Sequence, residues 1–265
     1  MITINIDPVA FSLGHFAIRW YGLIVALAIA VGVAVSRKQA ARRGLKDNDL
    51  LDAVAWVVLA GLIGARLFHV LDHWDHEYAA NPARALYVWE GGLAIWGAVV
   101  GGLAALWIFA RRRRLDFGVL VDVAAPGLVL AQAMGRLACL ITGDAMGTAT
   151  MGPIGLAYVH SGAMVPELGV FYVPTPLYEM MWNLVIFAVL IRLALRQHKA
   201  GTLFMVYLVL YAAGRFVISS WSGYREIAFG LNQAQIISLA ALAVAGPWLV
   251  ARLRRTGGRG FATPA

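Results

Sequence analysis

Seven apolar stretches, each near the length of a bilayer crossing, constrain this chain before any motif does. They run at about 17 to 36, 52 to 71, 87 to 110, 118 to 142, 174 to 195, 202 to 221 and 231 to 251. A helix of about 20 apolar residues crosses a hydrocarbon core, and no soluble core of a 265-residue chain hides seven of them. Composition agrees, with 61% hydrophobic and 14% charged residues, against roughly 45–50% apolar in soluble domains. The expected fold is an all-α integral membrane protein of about seven transmembrane helices, a single domain over 1–265. The opening residues "MITINIDPVAFSLGHF" lack the basic start of a signal peptide. The first run is therefore expected to remain as a span.

Charge gives the orientation. Of the 22 Lys and Arg, sixteen fall in "SRKQAARRGLK", in "RRRR" at 111–114, at Arg192, Arg196 and Lys199, and in the tail at Arg252, Arg254, Arg255 and Arg259. The opposite loops hold two, Arg84 and Arg225. Basic loops stay cytoplasmic, so the N-terminus is expected outside and the C-terminus in the cytoplasm. The net charge of +8 then reads as an orientation signal with contact to anionic lipid, and nucleic acid is not needed to explain it.

Four arginines remain: Arg19, Arg66, Arg136 and Arg215. Each lies in an apolar run, and the topology puts all four toward the outer leaflet. Arginine at the centre of a membrane helix costs about 2.5 to 3.5 kcal/mol on insertion scales, so four in one leaflet call for a common reason. Singly, each can snorkel or pair with a carboxylate such as Glu90 or Glu179. As a set, they point to a shared anion site, because guanidinium forks hold phosphate bidentately.

Other features are less specific. Residues 143–173 contain no Lys or Arg, and their Gly and Pro ("TGDAMGTATMGPIG") argue against a helix, so a small external head is expected there. Gly97, Gly101, Gly102 and "GLIGARL" suit close helix packing. The similar "GARLF", "GRLAC" and "GRFVI" share at most a need for space beside a buried arginine. His69, His73 and His76, with Asp72 and Asp75, fit a polar outer loop better than a metal site, and no metal or cofactor is expected. Cys139 alone forms no internal disulfide and reads as a small packing residue. There is no Walker loop, Rossmann fingerprint or nucleophile elbow.

Seven collinear blocks, "FAIRWYGLIVALAIAVG", "GARL", "WEGGLAIWGAVVGG", "GRLACLITGDAMG", "PTPLYEMMWNL", "LYAAGRFVI" and "GLNQAQIISL", cover nearly the whole chain and resemble the prolipoprotein diacylglyceryl transferase family. The resemblance implies a multi-pass enzyme of the bacterial inner membrane. Its substrates would be phosphatidylglycerol and the signal peptide of a preprolipoprotein, whose lipobox cysteine thiol receives the diacylglyceryl group as glycerol phosphate leaves. It assigns catalytic roles to Arg136, Arg215 and Tyr21, and Asp144, where the family usually has Glu, is by position the first candidate for a base. Substrate contacts fall to Arg66, Arg19, Glu90, Gly91, Gly92, Trp96, Gly97, Cys139 and Tyr178. Pro174, Pro176 and Glu179 complete the entrance to span five. The chain departs from the family pattern at Cys139, Thr142, Asp144, Trp96, Val173 and Ser219. These departures motivate an alternative, a paralogue that binds anionic phospholipid without transfer; an anion transporter is a further rival.

Overall fold

The computed structural model describes residues 1–14, 16–87 and 91–255. Among these, seven helices are long and apolar enough to cross a membrane. They are α1 Trp20–Arg42, α2 Asp47–Asp72, α3 Ile95–Arg113, α4 Phe117–Thr142, α5 Thr175–Ala194, α6 Thr202–Ile218 and α7 Gln233–Arg255. The strands are short: β1 Ile2–Ile4, β2 Val9–Leu13, β3 Phe16–Arg19, β4 Leu156–Tyr158, β5 Phe171–Tyr172, β6 Glu226–Ala228 and β7 Leu231–Asn232. All lie in the segments that join or precede helices. The chain forms two compact units, Arg37–Val121 and Met1–Ser36 with Asp122–Ala265.

Three helix starts depart from the sequence reading, α2 opening at Asp47 rather than near residue 52. The third span begins at Ile95 rather than near residue 87, because Gly91 and Gly92 adopt φ of +92° and +74°, a region that glycine enters freely and that ends a helix. The first begins at Trp20 because β2 and β3 pair as an antiparallel hairpin, with Val9 opposite Arg19. At its far end α1 runs on through "SRKQAAR" to Arg42. Arg, Lys, Gln and Ala are strong helix formers, so polarity there does not stop the helix.

In the unit Arg37–Val121, α2 and α3 pack through glycine. A Cβ on Gly64 or Gly97 would collide with the other's carbonyl oxygen, and one on Gly101 with that of Ala60. Lipid offers no hydrophobic drive for helix association, so backbone proximity and dispersion carry it. Gly97→Leu is expected to destabilise by about 1–3 kcal/mol, the usual cost of overpacking. Gly246→Leu, whose added Cβ meets nothing within 4 Å, should leave the thermal midpoint of the solubilised protein unchanged; equal midpoints for both variants would contradict this packing.

In the other unit α4 is central, with Val123, Ala125, Pro126, Val129 and Ala138 sheltered from solvent. Ala125 and Val129 pack with Ile186 and Leu190 of α5 and with Leu203 and Tyr207 of α6. The backbone of α1 meets that of α4 where Gly32 faces Gly127. The expected head, 143–173, carries no helix and contributes β4 and β5. Residues 2–4 join it, β1 pairing parallel with β4 in the order β1-β4-β5. The Tyr158 hydroxyl donates to the Leu140 carbonyl at 2.6 Å, and the Met164 N–H to that of Thr142 at 2.8 Å, satisfying carbonyls that the end of α4 leaves open. Burial pushes the Tyr158 phenol up to about 12, so it remains a donor across the physiological range.

Candidate active site

Arg136, Cys139 and Asp144 lie at the close of α4, Tyr21 at the start of α1, Glu179 near the start of α5 and Arg215 near the end of α6. Glu179 is at the centre. Its Oε2 is 2.5 Å from Arg136 Nε, and its Oε1 accepts from Arg215 Nη1. The Glu179 side chain is 8% exposed, against 22% and 18% for the arginines, so one sheltered carboxylate holds two guanidinium groups. The two readings of these arginines, carboxylate pairing and a shared anion site, are therefore compatible. The pair exceeds its carboxylate by one positive charge.

Donor accounting separates the arginines. A guanidinium has five N–H groups. Arg66 gives all five to main-chain carbonyls: Nε to Ala85 at 2.9 Å, Nη1 to Gly91 at 2.6 Å and Gly92 at 3.1 Å, and Nη2 to Arg84 at 2.6 Å and Tyr87 at 3.3 Å. Buried and lying 5.4 Å from the Tyr78 ring centroid, it binds both the end of the short 3₁₀ helix Pro82–Leu86 and the carbonyls of Gly91 and Gly92. Arg136 contacts Glu179, the Cys139 sulfur at 3.9 Å and the Tyr211 hydroxyl. Arg215 contacts Glu179 and the Tyr224 hydroxyl at 3.3 Å, stacking 5.5 Å from that ring's centroid. Both keep N–H groups for a ligand.

Around this pair, the Cys139 sulfur is 3.9 Å from Asp144 Oδ2, and Tyr21 lies within electrostatic reach of Cys139, Asp144 and Arg136. Cys139 is buried, and its sulfur touches both charged groups. Tyr178 stands edge-on to Trp221, with ring centroids 6.2 Å apart. Arg19, at the end of β3, is exposed. In the unit Arg37–Val121, Trp96 is an exposed residue in the first turn of α3, and Gly97 packs against Gly64 and Phe68. Glu90 lies outside the described residues. His69 and His73 stack on each other with centroids 4.3 Å apart.

The glycines beside the arginines do not serve one purpose. Gly64 faces the backbone of Gly97, Gly135 has open space around it, and Gly214 supports the Trp182 indole, whose Nε1 donates to the Leu210 carbonyl at 2.9 Å. The expectation of common room beside a buried arginine fails, because Gly64 and Gly214 answer to what crosses their own helices and Gly135 to no close neighbour. Two further features escaped the sequence reading. Glu179 looked like one possible partner among others, since nothing local marks a carboxylate that two distant arginines share. Asn232 and Gln235 form reciprocal backbone bonds of 3.0 and 3.1 Å at the start of α7, a capping box. Their side chains also reach Ser219 O at 2.9 Å and Ser220 Oγ at 3.1 Å, tying α7 to the end of α6; the Asn-x-x-Gln spacing was the available signal.

Arg66→Lys removes donors that an ammonium cannot replace in that planar array. Hydrogen exchange in residues 84–87 is expected to rise at least tenfold while the helix cores stay protected, consistent with a loss of roughly 1.5 kcal/mol or more for bonds to a charged donor. Unchanged protection of that segment would show that Arg66 does not organise it.

Fold and site together define a multi-pass membrane protein built around a carboxylate-bridged arginine pair able to receive an anion. Residues 8–251 match the prolipoprotein diacylglyceryl transferase family. Proteins named phosphatidylglycerol–prolipoprotein diacylglyceryl transferase are similar over most of their length: one from Nostoc sp. at 40% identity, covering 93% of this chain and 90% of its own, one from Halalkalibacterium halodurans at 36%, covering 97% and 89%, and one from Dehalococcoides mccartyi at 36%, covering 96% and 97%. The chain belongs to the prolipoprotein diacylglyceryl transferase family.

Proposed function

We propose that this protein transfers the diacylglyceryl group of phosphatidylglycerol to the lipobox cysteine thiol of a preprolipoprotein, forming a thioether and releasing glycerol phosphate. The observation that carries this reading is the convergence of Arg136 and Arg215 on Glu179, with guanidinium donors still available. Sequence charge supports an N-terminus outside and a C-terminus in the cytoplasm of a bacterial inner membrane, which puts the pair in the outer leaflet.

The chemistry follows from where charge develops. The substrate sulfur forms a bond to the terminal glycerol carbon of the diacylglyceryl group, the bond from that carbon to the phosphate oxygen breaks, and the electron pair leaves on that oxygen. Negative charge therefore grows on the departing phosphate, where fixed guanidinium groups stabilise the transition state more than the ground state. A free thiol has a pKa near 8.5, and the same positive field raises its thiolate fraction. Arginine, always protonated, does not take the proton. Asp144 is the first candidate acceptor and Glu90 the second, while Tyr21 orients the substrate by hydrogen bonding. Atoms balance between the two substrates without a cofactor.

Arg66 acts indirectly in this scheme, holding Gly91 and Gly92 in place. Arg19, exposed at the hairpin, meets lipid headgroups, and Tyr178 and Cys139 shape the space around the substrates. The decisive experiment supplies the purified protein with labelled phosphatidylglycerol and a lipobox peptide. One thioether peptide per glycerol phosphate released is the expected result. Lipid binding without either product would favour the non-catalytic paralogue.

A further inference from the structure

The arginine run that ends α3 is two different things side by side. Arg113 is engaged with acids: its Nη2 is 2.6 Å from Asp52 Oδ2 and its Nη1 3.8 Å from Asp49 Oδ1. Arg111 and Arg112 have no carboxylate within 4.0 Å among the described residues. Each lies over an indole instead, Arg111 at 5.1 Å from the Trp107 ring centroid and Arg112 at 5.4 Å from that of Trp56. Trp107 is 49% exposed and Trp56 39%.

Those two tryptophans lie on the open faces of α3 and α2, which continue as Leu103, Val100, Leu59 and Ile63, all exposed. On helices that cross a membrane, such faces meet acyl chains. Tryptophan near the end of a crossing helix settles at headgroup depth, and an arginine stem stacked on it carries the guanidinium to the level of the phosphates. Acids neutralise Arg113 but not its two neighbours, so two adjacent forks with uncompensated charge face the headgroup layer. Within the α2 and α3 pair this is the end opposite Arg66.

We propose that Arg111 and Arg112, backed by Trp107 and Trp56, bind the headgroup of an anionic diacyl phospholipid. This is a second lipid contact, made by residues other than the Arg136, Glu179 and Arg215 cluster. An acidic protein segment would also meet two arginines, but it would leave the exposed indoles and the apolar faces below them without acyl chains.

The test compares lipid retention by native mass spectrometry of the full chain, titrated with phosphatidylglycerol, with zwitterionic phosphatidylcholine and with soluble glycerol phosphate. The wild type is expected to hold one more phosphatidylglycerol than R111Q/R112Q, with affinity at that site falling about fivefold for each arginine removed. Arg113→Gln should keep it, and R111K/R112K should stay within about threefold, which guards against a folding defect in the glutamine variant. Equal retention by wild type and R111Q/R112Q, or equal retention of phosphatidylcholine, overturns the proposal. Binding of glycerol phosphate as tightly as the diacyl lipid would make it a free-phosphate site and overturn it as well.

Discussion

Arg136→Ala is expected to lower thioether formation by at least 10²- to 10³-fold, the scale on which a fixed transition-state donor acts. Arg136 pairs with Glu179, touches Cys139 and Tyr211, and has Asp144 and Tyr21 nearby. Its loss removes charge at the leaving phosphate and the field over the attacking sulfur together. Arg136→Lys should recover only part of the rate, because an ammonium is a point charge without the fork. Trp96→Phe serves as the contrast and should retain near-normal turnover, since the indole offers no base. Rates of glycerol phosphate release and thioether formation, measured on protein of unchanged thermal midpoint, decide it. Near-normal turnover by Arg136→Ala would falsify the assignment.

Glu179→Gln should be nearly as damaging, in a different way. The carboxylate holds two like charges in register, and removing the acid from a buried pair costs about 3–5 kcal/mol because a buried charge loses its partner. The lower end of that range is expected here, as both arginines retain some solvent contact. The catalytic signature should be split. With Glu179 neutralised, the arginines compete less with a carboxylate for an anion, so KM for phosphatidylglycerol should stay level or fall. Turnover should drop about 100-fold as the forks lose their alignment. A variant with normal kcat and raised KM would mean that Glu179 only contacts ground-state lipid, and a positioning role would be wrong.

The helices were legible because length and apolarity are local properties; α4, α5 and α6 lie close to where the runs place them. The start of α3 was not, since nothing in "WEGGLAIW" announces the positive φ at Gly91 and Gly92 except glycine itself, which also suits packing. Pairing of residues 2–4 with 156–158 is a contact across the chain, invisible to any window. The arginines teach the sharper lesson. "GARL" and "GRLA" look alike, yet Arg66 gives its donors to main-chain carbonyls and Arg136 keeps some back. What separates them is the company each keeps: one faces the carbonyls of a short 3₁₀ helix and of two glycines, the other an acid on another helix. Charge type was readable; unsatisfied partners were not.

The Arg66 anchor has a consequence for how the protein can change over time. Arg66 recognises residues 84, 85 and 87 only through their carbonyl oxygens, atoms that every amino acid possesses. This anchor therefore does not depend on which side chains stand at those positions, whereas Gly91 and Gly92 are restricted by their dihedrals. One long cation thus does for the end of a short 3₁₀ helix what a neighbouring strand does elsewhere: it answers the polar backbone where water is scarce. Among relatives, the arginine and the two glycines should change together or not at all.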